Sequence, residues 1–538
     1  MALTTFSDLV QEARERVKCD AVTAGLIDDN LGHGAAGIGA VSYADSVSVF
    51  LGLGVGRCAN YWSSLTPWGG GFIVQTFGRQ ALQMVWDYAE GNPFSASTGN
   101  WSGAMEWIER VIVNALPAFK KGTAVQGDAQ TQSISFNKVI STDPPYYDNI
   151  GYADLSDFFY LWLRRALKPN FPELFATVAV PKSEELVATP NRHGSKQKAE
   201  KFFLNGMTSA LCRLAELAHP TFPVTIYYAY KQAETENGSE GGTASTGWDT
   251  FLEAIIFAGF SITGTWPMRT EREQGLKTGT NVLASSIILV CRKQVSNAPA
   301  ATRREFIFAL KSELPMALAH LLKCNIAPVD LAQAVIGPGM AIFTRYAMVI
   351  EADGSRMTVR TALQIINQEL DTFFAAQEGD LDADTRFCLT WFEQRSMDEA
   401  PFGEADVLAR AKNTSVQGLA EAGVLYSNAG KVRILKRDEY DDDWDPVTDK
   451  RQTVWECTQH LIKRLEKSES EAAQLVKRLG AGQSEDARAL AYRLYSICER
   501  KKWSQEARAY NSLVVAWPEI LKLAGKVRPP TEDLRLKI

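Results

Sequence analysis

The sequence predicts a mixed α/β protein in which a small open sheet lies between two helical regions. Apolar residues recur at three- and four-residue steps near the amino terminus, β-rich runs alternate with helical stretches in the middle, and helical periodicity returns beyond residue 296. We therefore expect a helical segment at 1–105 and an α/β domain at 106–295. A helical extension at 296–400 and a winged-helix unit with a helical array at 401–538 follow.

Length and composition are those of a soluble globular protein. The 538 residues allow two to four domains, and the chain is 46% hydrophobic and 22% charged. We find no apolar run long enough to cross a bilayer. The first residues, MALTTFSDLVQEARERV, lack the basic start, apolar middle and cleavage site of a signal peptide, which predicts a cytoplasmic location.

Metal centres and disulfides are not expected. The eight cysteines are scattered singly without a CxxC pair, and the chain has only five histidines. The net charge of -6 does not indicate general attraction to nucleic acid, so any DNA contact must use a local basic patch.

Two stretches of the amino-terminal segment show helical spacing. An amphipathic helix is expected to begin almost at Met1, because one apolar stripe contains Phe6, Leu9, Val10, Ala13 and Val17. The run FLGLGVG at 50–56 allows two interpretations, a glycine-rich nucleotide loop or part of a helix. The helical stripe continues on both sides of the run, from Val47 to Leu65, which favours the helix.

Two short strands are expected before a proline-rich tetrapeptide. GTAVQGDAQ, at 122–130, predicts a strand that ends at Asp128, and KVIST, at 138–142, predicts a strand that ends at Asp143. Ligands of open α/β sheets bind outside the carboxyl ends of strands. The tetrapeptide Asp143-Pro144-Pro145-Tyr146 is therefore expected to face a cleft.

The residue types of this tetrapeptide fit recognition of a ring-conjugated amino group. Asp143 can accept one amino N–H, and a carbonyl of Pro144 or Pro145 can accept the second. Tyr146 offers a flat face on which a flipped base can stack. The alternative interpretation is a rigid turn with an aspartate cap.

The stretch that follows makes the interpretation more specific. A helical apolar stripe contains Leu155, Phe158, Phe159, Trp162, Leu163 and Ala166, with Asp154 or Ser156 as candidate caps. The whole run DPPYYDNIGYADLSDFFYLWLRR, at 143–165, resembles the amino-group DNA methyltransferases, in particular the large prokaryotic adenine-specific DNA methylases.

The resemblance implies a Rossmann-like methyltransferase sheet, with its later strands at 224–230, 260–266 and 285–290. It implies S-adenosylmethionine as methyl donor and a flipped adenine of double-stranded DNA as substrate, with Asp143, Pro144, Pro145 and Tyr146 as catalytic residues. Asp128 would approach the adenine of the donor; an exposed turn aspartate is the alternative.

One motif of the family is missing from these residues. Such methylases bind the methionine part of the donor with a motif of the type DPFxGxG, which the 538 residues do not contain. The sheet is therefore expected to be incomplete at its amino-terminal side, in a truncated or split methylase whose upstream chain supplies the motif. We expect this chain alone to bind S-adenosylmethionine weakly or not at all.

Two alternatives stay open. A chain without the donor motif could be a catalytically inactive DNA-binding or regulatory subunit. Methylation of cytosine N4 is chemically close to adenine methylation, whereas C5 methylation is not expected, because no cysteine follows a proline as that chemistry requires.

Two basic clusters are candidates for DNA phosphate contacts. One lies in the loop TPNRHGSKQKAEKFF and the other after the strand at 260–266; the residues are Arg192, Lys196, Lys198, Arg269 and Arg272. A solvated helix start is the alternative for the lysines. In the winged-helix unit, two short helices and a hairpin are expected within 405–435, and the acidic run DEYDDDWD after them favours protein contact at least as much as DNA contact.

Overall fold

A computed structural model describes residues 1–32, 37–77, 82–115, 122–145, 147, 150–229, 246–269, 285–324, 326–377, 379 and 381–526. The fold is mixed α/β, as expected, and about 57% helical with small sheets. The chain divides into two compact units, one of Met1–Gln132 with Pro145–Ala210 and the other of Ser133–Pro144 with Leu211–Ile538. The domain boundaries given above remain predictions.

The first unit is built from helices. They are α1 (Ala2–Thr23), α2 (Ala40–Ala59), α3 (Trp101–Ala115), α4 (Tyr152–Leu167), α5 (Pro190–His193) and the first part of α6 (Lys196–Leu217). The expected helix near Met1 is confirmed. Apolar residues of α1, α2 and α4, together with Phe175 after α4, form the core of the first unit. The buried residues of this cluster are Leu3, Val10, Val55, Ala59, Ala166, Leu167 and Phe175.

The glycines of FLGLGVG lie inside α2, so the helical interpretation of this run is confirmed. A Cβ atom on Gly52 would lie 2.8 Å from Cγ of Leu167 in α4. One on Gly54 would lie 2.8 Å from the sulfur of Met105 in α3. These two glycines therefore allow the neighbouring helices to approach α2 closely, which offsets their low helix propensity.

The expected strand at 122–130 is wrong. Residues 122–128 form no strand, and a turn follows in which Asp128 C=O accepts from Thr131 N–H (3.2 Å) and Gln132 N–H (3.0 Å). The apolar residues of this stretch are exposed, so no sheet partner stabilises an extended conformation.

The second unit contains the main sheet. Its four strands are β1 (Ser141–Thr142), β2 (Val224–Ala229), β3 (Phe260–Arg269) and β4 (Ser285–Lys293), in the order β1-β2-β4-β3. β1 is parallel to β2, whereas β4 is antiparallel to both β2 and β3. The three later strands expected from the sequence are therefore confirmed, and β3 and β4 extend three residues further than expected.

Helices cover one face of this sheet. Tyr228 of β2 stacks on Phe251 of α7 (Thr246–Phe257), with ring centroids 4.2 Å apart. The hydroxyl of Thr265 in β3 donates to the carbonyl of Ala334 at 3.1 Å, and Ala334 belongs to the helix Pro328–Phe343. The buried residues on this face anchor the strands.

The expected helical extension is confirmed as α8 (Arg303–Lys323), α9 (Pro328–Phe343) and α10 (Val359–Gln377), with the short parallel strands β5 (Ala300–Thr302) and β6 (Met348–Ile350). Thr302 and Glu305 form a capping box that fixes the start of α8.

A small helical and stranded unit follows, with the two short helices and hairpin expected from the sequence. Its elements are α11 (Ala383–Arg395), β7 (Ala400–Pro401), α12 (Phe402–Ala411), α13 (Val416–Glu421), β8 (Leu425–Asn428) and β9 (Lys431–Ile434). The strands lie in the order β7-β9-β8. This arrangement is consistent with the expected winged-helix unit.

The last region is the expected helical array, α14 (Val454–Lys467), α15 (Glu469–Lys501) and α16 (Ser504–Lys526). Part of the acidic run before it is neutralised by this array: Asp442 pairs with Lys463 and Lys467, and Asp445 pairs with Arg478. Among the described helices, none combines the length and apolar character needed to cross a bilayer.

Candidate active site

The candidate site lies at one edge of the main sheet. β1 is parallel to β2. β2 and β3 also run in the same direction as one another, because both are antiparallel to β4. The carboxyl ends of β1, β2 and β3 therefore meet at a single edge, where open α/β sheets bind their ligands. Asp143 and Pro144 leave β1 at this edge.

The register of β1 against β2 determines which residue lies beside Asp143. Ser141 pairs with Thr225 and Thr142 with Ile226, so the residues that follow this last pair are Asp143 after β1 and Tyr227 within β2. The hydroxyl of Thr225 donates to the hydroxyl of Ser141 at 2.9 Å, which shows that these two side chains share one face of the sheet. Tyr227 lies on the face of Thr225, because side chains alternate along a strand.

Sequence reasoning missed Tyr227 as a site residue. It belongs to the run VTIYYAY, in which Ile226 and Tyr228 are buried while Tyr227 is half-buried. The alternation of burial was the available signal, but only the pairing of β1 with β2 shows which of the two tyrosines lies on the side of Ser141.

Asp143 is exposed and Pro144 half-buried. Within the described part of the chain, no main-chain N–H donates to the carbonyl of Pro144. The expected role of this carbonyl as an acceptor for a ligand stays a prediction. Tyr146 lies outside the described residues.

The residue after the tetrapeptide is held firmly within the first unit. The hydroxyl of Tyr147 donates to Oε1 of Glu200 at 2.9 Å, and its ring packs edge-on against Phe203, with centroids 5.3 Å apart. The carbonyl of Tyr147 accepts from Ala188 N–H at 2.8 Å. These contacts hold Tyr147 within the first unit.

The start of α4 differs from the expected cap. Its N-cap is Gly151, without a side-chain cap, so neither Asp154 nor Ser156 caps the helix. Oε1 of Glu185 accepts instead from Ala153 N–H at 2.9 Å. A carboxylate distant in sequence thus satisfies a free amide of the first turn, and Asp154 is available to pair with Arg192.

The guanidinium of Arg192 is occupied by acidic partners. It pairs with Glu185 at 2.6 Å and with Asp154 at 2.5 Å, and it also donates to the carbonyl of Lys182 at 3.2 Å. The hydrogen bond that Arg192 donates to Glu185 raises the pKa of the guanidinium above its ordinary value, although burial opposes this. A DNA phosphate would have to displace a carboxylate, so this candidate contact stays a prediction.

The other candidate DNA contacts have different surroundings. Lys196 and Lys198 are exposed in the first turn of α6. Arg269 is the last residue of β3, at the carboxyl edge, and pairs in register with Ser285. Arg272 lies outside the described residues.

Asp128, the candidate donor-binding residue, is exposed in the turn at 128–131. Its Oδ1 accepts from Gln130 N–H at 2.9 Å, so the carboxylate stabilises its own turn. The glycine-rich run at 50–56 lies in a packed helix. The run at 50–56 is therefore not available as a loop around S-adenosylmethionine, and the carboxylate of Asp128 is engaged within its own turn.

No group of three or more metal-ligating side chains occurs in the described part of the chain. Its buried thiols are shielded from water, and burial raises the pKa of Cys58 and Cys457 to about 12. Neither thiol is therefore a ready nucleophile at neutral pH.

In the comparison with known proteins, the carboxyl-terminal region of the chain matches a family model. Residues 382–535 match a family model described as a domain of unknown function, DUF8807. No curated protein matches the chain. No solved structure matches it. The matched segment begins with the N-cap of α11 and therefore contains α11, α12, α13, the sheet of β7, β8 and β9, and helices α14, α15 and α16.

Proposed function

We propose that this chain forms the base-binding part of a site-specific DNA adenine-N6 methyltransferase. The observation that supports the proposal most directly is the position of Asp143 and Pro144 at the carboxyl edge of a sheet whose first two strands are parallel. This edge is where an α/β sheet presents groups to a ligand. The resemblance of the run 143–165 to adenine-specific methylases supplies the reaction class.

The chemistry assigned to this chain is to hold the target amino group. The carboxylate of Asp143 accepts one N–H of a flipped adenine, and the carbonyl of Pro144 accepts the other. Both hydrogen bonds orient the amino nitrogen, whose lone pair is otherwise delocalised into the ring. Tyr146 stacks on the base in this proposal, and Tyr227 adds a second aromatic group beside Asp143.

The methyl donor belongs to this proposal as a substrate held mainly by another polypeptide segment. S-adenosylmethionine supplies an electrophilic methyl group. Within this chain, the run at 50–56 is a packed helix and Asp128 stabilises its own turn, so neither candidate stretch is available to hold the donor. The rate acceleration contributed by this chain comes from placing the amino group in a reactive position.

A catalytically inactive DNA-binding or regulatory subunit is the second candidate. The observation that favours it is that the glycine-rich run at 50–56 is a packed helix rather than a loop that could hold the donor. Methylation of cytosine N4 is a third, because the same acceptors suit either amino group.

Product analysis separates these candidates. The chain is combined with unmethylated double-stranded DNA and radiolabelled S-adenosylmethionine, with and without the polypeptide encoded immediately upstream. Nucleosides are then identified by mass spectrometry. N6-methyladenine supports the proposal, N4-methylcytosine moves it to the third candidate, and absence of both with the upstream polypeptide present favours the inactive subunit.

A further inference from the structure

An acidic strap, residues 441–445, crosses the surface of α14 between two buried anchors. Tyr440 before it is 3% exposed, and its hydroxyl accepts from the indole N–H of Trp455 at 3.2 Å. Pro446 after it is buried as well. The strap forms neither helix nor strand, and its first three residues are exposed. A rearrangement of the strap therefore need not disturb the buried anchors.

The strap covers a basic face formed by four side chains of α14 and α15, which are Lys463, Arg464, Lys467 and Arg478. Oδ1 of Asp442 lies 3.1 Å from Nζ of Lys463 and 3.1 Å from Nζ of Lys467, one helical turn further on. Asp445 pairs with Arg478 at 2.8 Å. Two carboxylates of the strap thus occupy three of the four cations.

The basic face stays cationic without the strap. Arg464 donates to the main-chain carbonyl of Asp442, and Glu471 lies 3.8 Å from its guanidinium. The four cations outnumber this carboxylate. Lys467 and Arg478 are 43% and 55% exposed. Because exposed ion pairs contribute little net stability, other anions can replace those of the strap.

An aromatic stack lies between the two ion-paired aspartates. The indole of Trp444 stacks on the imidazole of His460, with ring centroids 4.1 Å apart and planes 7° apart. His460 is 1% exposed beneath it. The strap therefore presents a carboxylate, a flat ring and a second carboxylate to α14 and α15. A single strand of nucleic acid offers the same groups, since unpaired bases stack on rings while phosphates meet cations.

We propose that the basic face of α14 and α15 binds single-stranded DNA, and that the acidic strap occupies this site in the unbound protein. In the complex, phosphates take the places of the Asp442 and Asp445 carboxylates, and a base takes the place of Trp444 on His460. The inference goes beyond the proposed function, because it concerns another surface and its test measures binding rather than methyl transfer.

The stacked ring distinguishes single-stranded DNA from other polyanions. An acidic polypeptide such as polyglutamate can satisfy the cations but offers no ring to His460. Duplex DNA keeps its bases inside the stack, so it also leaves the imidazole without a partner. A single strand supplies both groups, because every base has a flat face.

The test changes the charge of the acidic run in two matched ways. Asp442→Asn with Asp445→Asn removes the carboxylates that pair with the basic face. Asp438→Asn with Asp443→Asn removes two carboxylates of the same run that form no ion pair with the described residues. The full chain is titrated with fluorescein-labelled oligothymidylate, the same strand with abasic sites, duplex DNA and polyglutamate. Fluorescence anisotropy measures the binding.

We expect Asp442→Asn with Asp445→Asn to bind oligothymidylate about tenfold more tightly than wild type and with a steeper salt dependence, because the freed cations attract phosphates. The Asp438→Asn with Asp443→Asn control should stay within about twofold of wild type. Adding Lys467→Gln and Arg478→Gln to the first variant should remove its gain. Asp445→Asn alone should show a smaller gain in the same direction. Melting temperatures should be similar, since both anchors are unchanged.

Three results for oligothymidylate overturn the inference: no gain in the first variant, an equal gain in the control, or a gain that survives the loss of Lys467 and Arg478. Binding of polyglutamate, abasic strand or duplex DNA by the first variant as tightly as oligothymidylate overturns it too.

Discussion

Asp143 and Tyr227 are the residues that follow the last pair, Thr142 with Ile226, of the parallel register between β1 and β2. Neither residue's contribution follows from its type alone, since an exposed aspartate after a strand often caps a turn. What distinguishes this aspartate is the sheet edge at which it lies and the aromatic residue next to it. Two single residues can be tested by substitution: Tyr227 at the candidate site, and Glu456, whose carboxyl group is buried.

Replacement of Tyr227 tests whether the candidate site includes this ring. Tyr227→Ala should raise the KM for DNA about tenfold in the assembled enzyme, because base–aromatic stacking contributes about 1–3 kcal/mol. Tyr227→Phe should stay near wild type. Tyr426→Ala, a change to a 40% exposed tyrosine in the distant hairpin, is the control. Equal steady-state constants for both alanine variants would remove Tyr227 from the site.

The ionisation of Glu456 makes the free energy of unfolding depend on pH. The carboxyl group is buried, and burial followed by the repulsion of Asp449 raises its pKa to about 9. The folded state therefore binds a proton that the unfolded state releases above its ordinary pKa near 4.5. This contribution to stability is complete below pH 4.5 and is lost as the pH rises through about 9.

Glu456→Gln should remove that loss, because the amide is neutral at every pH. We expect its free energy of unfolding in urea to exceed that of wild type by about 1–3 kcal/mol at pH 8 and to change little from pH 7 to 9. His460, whose pKa burial lowers to about 4, titrates below this window. The exposed Glu469→Gln is the control. Parallel pH profiles for wild type and Glu456→Gln would contradict the assignment.

At the scale of elements, close helix packing explains the glycines of α2. Gly52→Ala places a Cβ atom 2.8–2.9 Å from three atoms of buried Leu167, whereas Gly56→Ala meets only Cδ2 of Leu163 at 3.7 Å. We expect the first change to lower stability by about 1–3 kcal/mol and the second to raise it by up to about 1 kcal/mol. Thermal unfolding measures both. Stabilisation of similar size by each change would contradict the packing explanation.

The sequence predicted elements with strong periodicity and failed where contacts distant in sequence decide. Continuity of the apolar stripe identified α2 correctly, but the partners of its glycines could not be foreseen. The β-rich composition of 122–130 suggested a strand that has no sheet partner. Asp154 resembled a cap, yet Glu185 takes that role and Asp154 pairs with Arg192.

The candidate site likewise contains some features that could be predicted from the sequence and others that could not. The position of Asp143 after a strand was predictable, because a β-rich run and the prolines mark the strand end. The neighbouring Tyr227 was not predictable, since it requires the register between strands that lie far apart in sequence. The ion pairs of Arg192 with Asp154 and Glu185 could not be predicted from the sequence either.

At the scale of the whole molecule, the proposed base-binding edge lacks support from the two candidate donor-binding stretches, because the run at 50–56 is a packed helix and Asp128 stabilises its own turn. The net charge of -6 also limits long-range attraction to DNA, so affinity must come from local contacts. Part of the acidic run 438–445 is neutralised by α14 and α15. That pairing gives the run a structural role within the segment that matches the family of unknown function.

This organisation predicts weak binding of the methyl donor by the isolated chain. Calorimetry with S-adenosylmethionine should show little or no heat for the chain alone and stoichiometric binding once the upstream polypeptide is added. The physical reason is that Asp128 stabilises its own exposed turn and that the glycine-rich run packs as a helix. Tight, stoichiometric binding by the chain alone would contradict this division of roles.

The most direct test of the central claim is methyl transfer by the assembled enzyme with Asp143 replaced. Asp143→Ala should reduce the rate of N6-methyladenine formation at least a hundredfold, because the target amino group loses its carboxylate acceptor, while DNA binding stays within a few-fold of wild type. Asp353→Ala serves as the control, since it removes an exposed aspartate that has no assigned role in the site. A rate for Asp143→Ala equal to that of wild type would contradict the assignment of this edge as the active site.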